Sequence, residues 1–595
     1  MSPNMTDGKG KTDRTDVCSV DELMHAGVKT VTVSGRPVAL FYEGGRIYAL
    51  DNRCPHMGYP LSKGTLKQGM LTCHWHHARF DAESGCTFDL FADDAAVFEV
   101  RTHDGRVFIE DKAVSRGGSV LEQIDSRLRT GIVQSINLVI AKSIIREVNQ
   151  RGLEEGGKRI LSIASAYGTV KQRGWASGLT ILTCMGNIIP FLDREWAETA
   201  LFKGVMHVAG DYFNGADRPQ VEPLGHPVSH DGMRNLSLWL RTFVEQREPD
   251  AAMRTLLTMA YLSTKNDCAT ALLQAATDHI FIDGGHVYDF INKAFDLLDT
   301  IGWESAPQTL LSVVRQLCNA RRHEEDSAWR NPVDIASLLS EYEGRAGSIA
   351  NNGGNRNAST EEIDALAWKI VEGEPEAILS AIESRLKSGW TTLDCAFSLT
   401  LASAFRIALF HDQNEFDDWI TVLHAFTYSN AVYNSASRVL SNEPVIKAIY
   451  HGAMNTYLNR FLNMPAADID QVHSVVSGVQ SPLDELEKSM NAKDVGRAKD
   501  LVNTYLARGG EILGLMKLLA KCVLREDAEF HTYQLIDACM NIVRRGKLSA
   551  ESARLVAIAA ARYVAAHSPT DRADLQTFSI ATRLERGETL YASDE

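Results

Sequence analysis

Nowhere does the chain run ~20 consecutive apolar residues, the length a membrane-spanning helix needs. Its most apolar segments are 130–145, which carries Gln134, Ser135, Asn137 and Lys142, and 178–192, broken by Asn187 and Pro190. No membrane association is expected. The opening MSPNMTDGKGKTDRTD has no apolar core of the secretory type, so a cytoplasmic protein is expected. The ten cysteines (18, 54, 73, 86, 184, 268, 318, 395, 522 and 539) show no paired framework. Most should therefore be reduced, individually buried thiols. Long Lys/Arg runs are also missing, and the net charge is −15. That argues against a nucleic-acid binder, which needs a concentrated basic face. No Walker A sequence occurs, residues 344–354 are Gly-rich but follow no strand, and no G-x-S-x-G elbow sits between a strand and a helix. Nucleotide binding and triad hydrolysis lose their usual signals, so any electrons used must come from a separate reductase or ferredoxin.

What is present is ordinary globular composition, 45% apolar and 23% charged, over 595 residues. That length suggests about three or four units, which large helical domains can merge. The acidic surface suits a basic redox partner, and it serves solubility equally well.

The patterning changes along the chain. Residues 1–16 are polar and read as a disordered tail. Residues 17–113 carry short β-branched runs at 28–33, 37–42, 46–50, 97–100 and 106–109. Turn signals at Ser34-Gly35, Glu43-Gly44-Gly45 and Asp104-Gly105 separate them, so a small all-β domain is predicted. Arg116-Gly117-Gly118-Ser119 reads as a linker. From residue 120 onward, apolar residues recur at helical spacing, for instance over 258–276, 285–301 and 553–566. The expectation is a multidomain chain in which the all-β domain precedes a large all-α domain. A flexible Gly/Asn-rich linker at 344–359 would split the helical part into 120–343 and 360–595. Residues 196–212 and 416–433 echo each other, as do 289–295 and 456–462, which suggests an internal helical duplication.

One constellation stands out. Cys54-Pro55-His56 is followed after sixteen residues by Cys73-His74-Trp75-His76. Two loops each supply one thiolate and one imidazole, flanked by Gly58 and Gly69. Two Cys and two His could hold zinc, but zinc fingers place both Cys in one knuckle and both His in another. In a Rieske [2Fe–2S] centre the two thiolates hold one iron and the two imidazoles the other. The stretch CPHMGYPL…CHWHHARFD resembles the Rieske family, and the resemblance spans residues 17–113. It implies a [2Fe–2S] cluster held by Cys54, His56, Cys73 and His76. Respiratory members carry an extra disulfide between the loops. Tyr59 and Trp75 stand at those positions here, which implies the ferredoxin and oxygenase branch. His74 and His77 are expected beside the cluster or on the surface.

Such a cluster moves single electrons, so the helical region is a candidate electron sink. In ring-hydroxylating Rieske oxygenases the sink is iron held by two His and one carboxylate in a D-x-x-H-x-x-x-x-H-like pattern. That pattern is missing, and Glu222, His226 and His230 are the nearest approach. Instead, several His lie on apolar segments beside small residues: His207, His279, His286, His424 and His451. They are the candidate ligands of a second metal site at the junction of the two halves, with mononuclear non-haem iron as the candidate ion. His279 and His286 would share one face if their segment is helical. Asp211, Asp283 and Asp289 could support these His, and Tyr212, Tyr288, Tyr428 and Tyr450 could line a pocket or fill the core. Through LHAFTYSNAVY and DHIFIDGGHVYDF the region resembles the questin-oxidase-like family. That likeness implies a multi-His iron site and oxidative attack on an aromatic compound.

Two functions follow. The first is an oxygenase in which the cluster feeds electrons to the His-rich metal for O₂-dependent oxidation of a small organic substrate. The second is an electron carrier or redox sensor whose helices are only a scaffold. An external electron donor is expected in the first case, and the oligomeric state is left open.

Overall fold

The computed structural model describes residues 14–114, 119–225, 232–351, 354–463, 475–588 and 590. The described residues form two compact units, one from Met1–Gln150 with Gln576–Glu595, the other from Arg151–Leu575.

The first unit is built on nine strands in three antiparallel sheets. Strand β1 (Arg14–Ser19) pairs with β9 (Arg106–Ala113), which also pairs with β8 (Phe98–His103). Strands β2 (Val28–Val33), β3 (Arg36–Glu43) and β4 (Arg46–Asp51) form a meander, and β5 (Thr65–Lys67), β6 (Met70–Thr72) and β7 (Arg79–Asp81) a second, shorter one. The turns lie where the sequence put them. Ser34-Gly35, Gly44-Gly45 and Asp104-Gly105 all have positive φ, the backbone of two-residue hairpin turns. Strand β3 reads as one apolar run because both its faces are covered. Val38 and Leu40 enter one core with Val33, Phe98 and Ile109; Ala39 and Phe41 enter the other with Leu61, Leu71 and Phe80.

Two expectations at the edges of this domain are corrected. Residues 14–16 belong to β1, because Arg14 and Thr15 pair with Glu110 and Ile109; residues 1–13 lie outside the described set. The helices Val120–Val133 and Asn137–Arg151 belong to this unit and not to a helical half beginning at 120. Ion pairs tie both helices to the β-domain. Arg127 and Arg146 reach the buried Asp93 at 2.7 and 3.0 Å, and Arg146 also holds Glu585 at 2.7 Å. Helical periodicity shows that a helix has a buried face, but not which core it faces.

The second unit is helical throughout its long elements. Helix Ile335–Asn351 runs through the first half of the segment expected to be a linker, and residues 352–353 are outside the described set. The periodic run 258–276 is two helices, Pro249–Leu262 and Lys265–Thr277, because Thr264 starts the second with a capping box to Asp267. Four helices form a ring in which each packs on two others: Ser177–Ile188, His286–Ile301, Phe416–Ser435 and Phe530–Arg545. Among the described residues, no helix is long and apolar enough to cross a membrane.

Candidate functional site

The Cys/His loops lie at one end of the β-domain. Cys54 follows β4, and its carbonyl accepts from Gly58 N–H at 2.7 Å, closing a tight turn. Gly58 has φ +78, and a Cβ there would meet Leu584 at 3.0 Å, so this position needs glycine. Gly69, with φ +76, completes the β5–β6 hairpin turn. Cys73 follows β6, with its N–H donating to Ala78 O at 2.9 Å.

Cys54 and Cys73 are both 2% exposed. Their thiols share a hydrogen bond that pushes Cys73 down and, with burial, Cys54 up. The rings of His56 and His76 meet edge to face, 4.7 Å between centroids. Burial, His76 and Lys142 hold His56 down at about 4, so it is a neutral imidazole. Two thiols side by side and two imidazoles side by side are the donor set that a two-iron centre of mixed ligation requires, and the site fits it. Both Cys are free, and among the described residues no disulfide forms. Tyr59 and Trp75 pack as tilted rings 6.0 Å apart. His74 Nε2 meets Thr65 Oγ1 at 2.7 Å, and His77 is exposed with φ 60.

Behind the first loop lies a buried cation. Lys142 Nζ donates to the carbonyls of Pro55 and of His56, the latter at 3.2 Å. Its partner Asp93 lies 3.6 Å away. Burial would raise Asp93, but Arg146, Lys142 and Arg127 outweigh it and hold the carboxyl at about 2.

The helical histidines do not gather as one group of five. His286 and His424 come together, and His531, which the sequence reading passed over, joins them. The ligand atoms of the three lie within 4.8 Å of one another. Small side-chain rotations would close that spread onto one metal ~2.1 Å from each nitrogen. His424 Nε2 and His531 Nε2 are 2.8 Å apart, and the His286 and His424 rings are 4.4 Å apart.

Each ring is set by its local chain. His286 opens its helix after a loop in which Phe281, Asp283, Gly284 and Gly285 all have positive φ. Phe281 and Asp283 are L residues in left-handed conformation, a strain of ~1–3 kcal/mol each that concentrates at functional sites. This break also corrects the expectation that His279 and His286 share a helix face. The loop places His286 Nδ1 3.0 Å from Asp283 O, so Nδ1–H donates to the carbonyl and Nε2 is left as the lone-pair atom. Glu529 caps the helix Phe530–Arg545 and accepts from His531 Nδ1 at 2.5 Å, which turns His531 Nε2 toward His424. A carboxylate behind a ligating imidazole fixes its tautomer and raises its basicity. Burial, His286 and His531 push His424 down to about 2, and burial with His531 also lowers His286. Neutral imidazoles are the form that binds metal. Phe290 and Phe530 stand 5.7 and 5.9 Å from the His286 ring.

The other candidates serve elsewhere. His279 sits between Glu245 and Glu324 at 2.8 Å each. His451 Nε2 meets Glu343 at 2.7 Å. His207 packs edge-on against Tyr533, 5.7 Å between centroids, its buried Nε2 without a partner. His226 and His230 lie outside the described residues. Asp211 caps Ser177–Ile188 through Ser177 Oγ and Gly178 N–H, and Asp289 accepts from Gln534. Tyr212, Tyr288, Tyr428 and Tyr450 are all buried core residues.

The family model of the Rieske [2Fe–2S] domain matches residues 13–98. The ferredoxin component of the naphthalene 1,2-dioxygenase/salicylate 5-hydroxylase systems from Ralstonia sp is 32% identical over 98 residues, 16% of this chain and 92% of that protein. Apoptosis-inducing factor 3 of Homo sapiens is 33% identical over 94 residues, 16% of each chain. The chain thus spans about a sixth of the length of the first curated relatives it matches. A solved complex of reduced oxygenase and oxidized ferredoxin in carbazole 1,9a-dioxygenase matches 18% of this chain and 100% of that one, at 24% identity and a TM-score of 0.17. Through its N-terminal domain, the chain belongs to the Rieske [2Fe–2S] family.

Proposed function

We propose that this chain is a Rieske-type oxygenase. Its [2Fe–2S] cluster is held by Cys54, His56, Cys73 and His76 and takes electrons from an external reductase or ferredoxin. Those electrons serve a catalytic metal, non-haem iron, held by His286, His424 and His531, for O₂-dependent oxidation of a small organic substrate. The observation that carries the reading is the convergence of three imidazoles from three helices, in a chain that also has a Rieske domain. Imidazole suits iron, copper and zinc alike, and the presence of a Rieske domain in the same chain favours a redox-active ion. When bound, that metal supplies O₂ activation. The chain's own residues do the rest: Glu529 and the Asp283 carbonyl aim two of the rings, and Phe290 and Phe530 offer faces on which a flat apolar substrate can pack.

A second reading keeps the first unit and drops the second site: an electron-transfer protein with a helical scaffold. What favours it is that the Ralstonia relative, matched over 92% of its length, is a ferredoxin component. Metal content separates the two. The oxygenase needs a sulfide-independent metal that disappears in His424→Ala and His531→Ala. A wild-type protein with the cluster alone, and no O₂ uptake under reducing conditions, would sink the oxygenase reading.

A further inference from the structure

Two helices that carry site histidines continue into rows of buried and half-buried polar groups. On His286–Ile301 the row is Asp289, Lys293 and Asp296, one face of the helix below His286. On Phe530–Arg545 it is Gln534, Asp537 and Asn541 below His531. The rows join: Gln534 Nε2 donates to Asp289, and Lys293 Nζ to Asp537. Asn187 from Ser177–Ile188 reaches Asp537 at 3.2 Å, and Arg438 reaches Asp296 at 2.5 Å. The rows end at a cavity of about 400 Å³ lined by Asn187, Asp296, Arg438, Asp537, Asn541 and Arg544 among others. Along the helix axis, Asp296 lies ~15 Å beyond His286, at ~1.5 Å per residue.

Asp289 and Lys293 are each 2% exposed and Asp537 is 3% exposed. Buried ion pairs of this kind are often replaceable by apolar side chains without loss of stability, so their presence asks for a role. Lys293 and Arg438 are set against four carboxylates, Asp289, Asp296, Asp537 and Asp299, the last also 3.2 Å from Arg438, so carboxylates outnumber these cations and a buried carboxyl keeps a proton. Asp289 is its place. Burial pushes it up to about 7 against the pull of Lys293, with Asp296 and Asp537 pushing the same way as burial. Its Oδ1 and the Oε1 of Gln534 are buried without hydrogen-bond partners. Cys184 from Ser177–Ile188 is the remaining titratable neighbour of Lys293, and burial keeps it a neutral thiol.

We propose that this row is a proton path, in which the Asp289 carboxyl holds a proton for the three-histidine site and is refilled from the cavity through Lys293 and Asp537. The inference rests on the reading of that site as a redox metal centre. The balance is one proton per electron accepted by O₂, the oxidant: electrons come from the external donor through the Rieske domain, and protons come from cavity water. Asp289 releases its carboxyl proton toward the site and becomes a carboxylate. Lys293, whose surrounding carboxylates hold it well above its ordinary value against burial, keeps its charge throughout: as it hands a proton toward that carboxylate it takes one from Asp537, which exchanges with the cavity. The polar mouth would then serve protons, and the Phe-lined side of the histidines the substrate.

Infrared spectroscopy of the full-length holoprotein tests this without a turnover assay. Reduced-minus-oxidised difference spectra should contain a carboxylic acid carbonyl band that shifts in D₂O. The band should vanish in Asp289→Asn with metal content unchanged; its survival in that variant overturns the proposal. Asp537→Asn should keep the band and slow its shift after D₂O is added by tenfold or more; exchange at the wild-type rate overturns the refilling route, and this arm stands even if Asp289→Asn does not fold. If metal analysis finds no third metal, the metal reading has failed by itself. The Asp289 band can then still be titrated against pH in that protein, where a midpoint near 7 supports the proton store and a midpoint in the ordinary carboxylate range overturns it.

Discussion

His424 Nε2 and His531 Nε2 lie 2.8 Å apart on two helices whose histidines are 107 residues apart in the chain. Without a metal, one of these nitrogens must donate a hydrogen to the other. With one, both lone pairs can face the same ion. The Glu529 carboxylate behind His531 claims the Nδ1 hydrogen, so His531 Nε2 is the lone-pair atom in either arrangement.

The site's membership can be read by mutation. His286→Ala, His424→Ala and His531→Ala should each remove the metal that is independent of sulfide. His279→Ala and His451→Ala should keep it, since those rings are engaged by Glu245, Glu324 and Glu343. The check is inductively coupled plasma analysis of each variant beside its far-ultraviolet circular dichroism. Metal loss in His279→Ala or His451→Ala with the fold intact would move the site.

Glu529→Gln should weaken metal binding by roughly 10–100-fold without abolishing it, the usual consequence of removing a carboxylate behind a ligating histidine. Competition against a chelator of known affinity measures this. An unchanged affinity would mean that the Glu529 contact only caps the helix.

Lys142 places a buried charge against the carbonyls of Pro55 and His56. Reduction adds negative charge to the cluster, which a nearby ammonium stabilises. Lys142→Met should therefore lower the reduction potential of the [2Fe–2S] centre. Spectroelectrochemical titration reads it directly, and a potential that stays or rises contradicts the assignment.

The metal-free protein should lose stability in mild acid. His424 titrates at about 2 when folded, and an unfolded His at ~6.5. The unfolded chain therefore binds more protons below pH ~6.5, so the contribution is fully present above that value. It falls by up to ~1.4 kcal/mol per pH unit below it. His286 is depressed in the same direction. Urea unfolding of chelator-treated protein at pH 7 and pH 5.5, for wild type and His424→Asn, should show a smaller acid loss in the variant. Equal losses would remove His424 from the account.

Much of the β-domain was legible in the sequence because its signals are local. The run at 28–33 and the hairpin turns follow from β-branched residues and Gly-containing pairs, and both loop ligand pairs from their spacing. Strands β5, β6 and β7 were missed because three-residue strands are too short to alternate visibly. Of the helical site, two members were legible and one was not. His286 and His424 stand out because small neighbours flank them. His531 follows Phe530 and has no such mark, and its signal was the Glu-x-His pair at a helix start with Gln534 and Asp537 spaced below it. His451 and His279 looked equivalent in sequence, because their carboxylate partners lie 108 and 45 residues away. The division into units was not legible either, since an amphipathic helix such as Asn137–Arg151 does not declare which core it covers.

The most direct test of the whole account is metal and acid-labile sulfide analysis of anaerobically purified protein, with spectra of the reduced cluster. A Rieske centre contributes two irons and two sulfides. The account predicts those plus one further metal per chain, lost in His424→Ala while the cluster spectrum stays unchanged. Two irons, two sulfides and nothing else in the wild-type protein would contradict it.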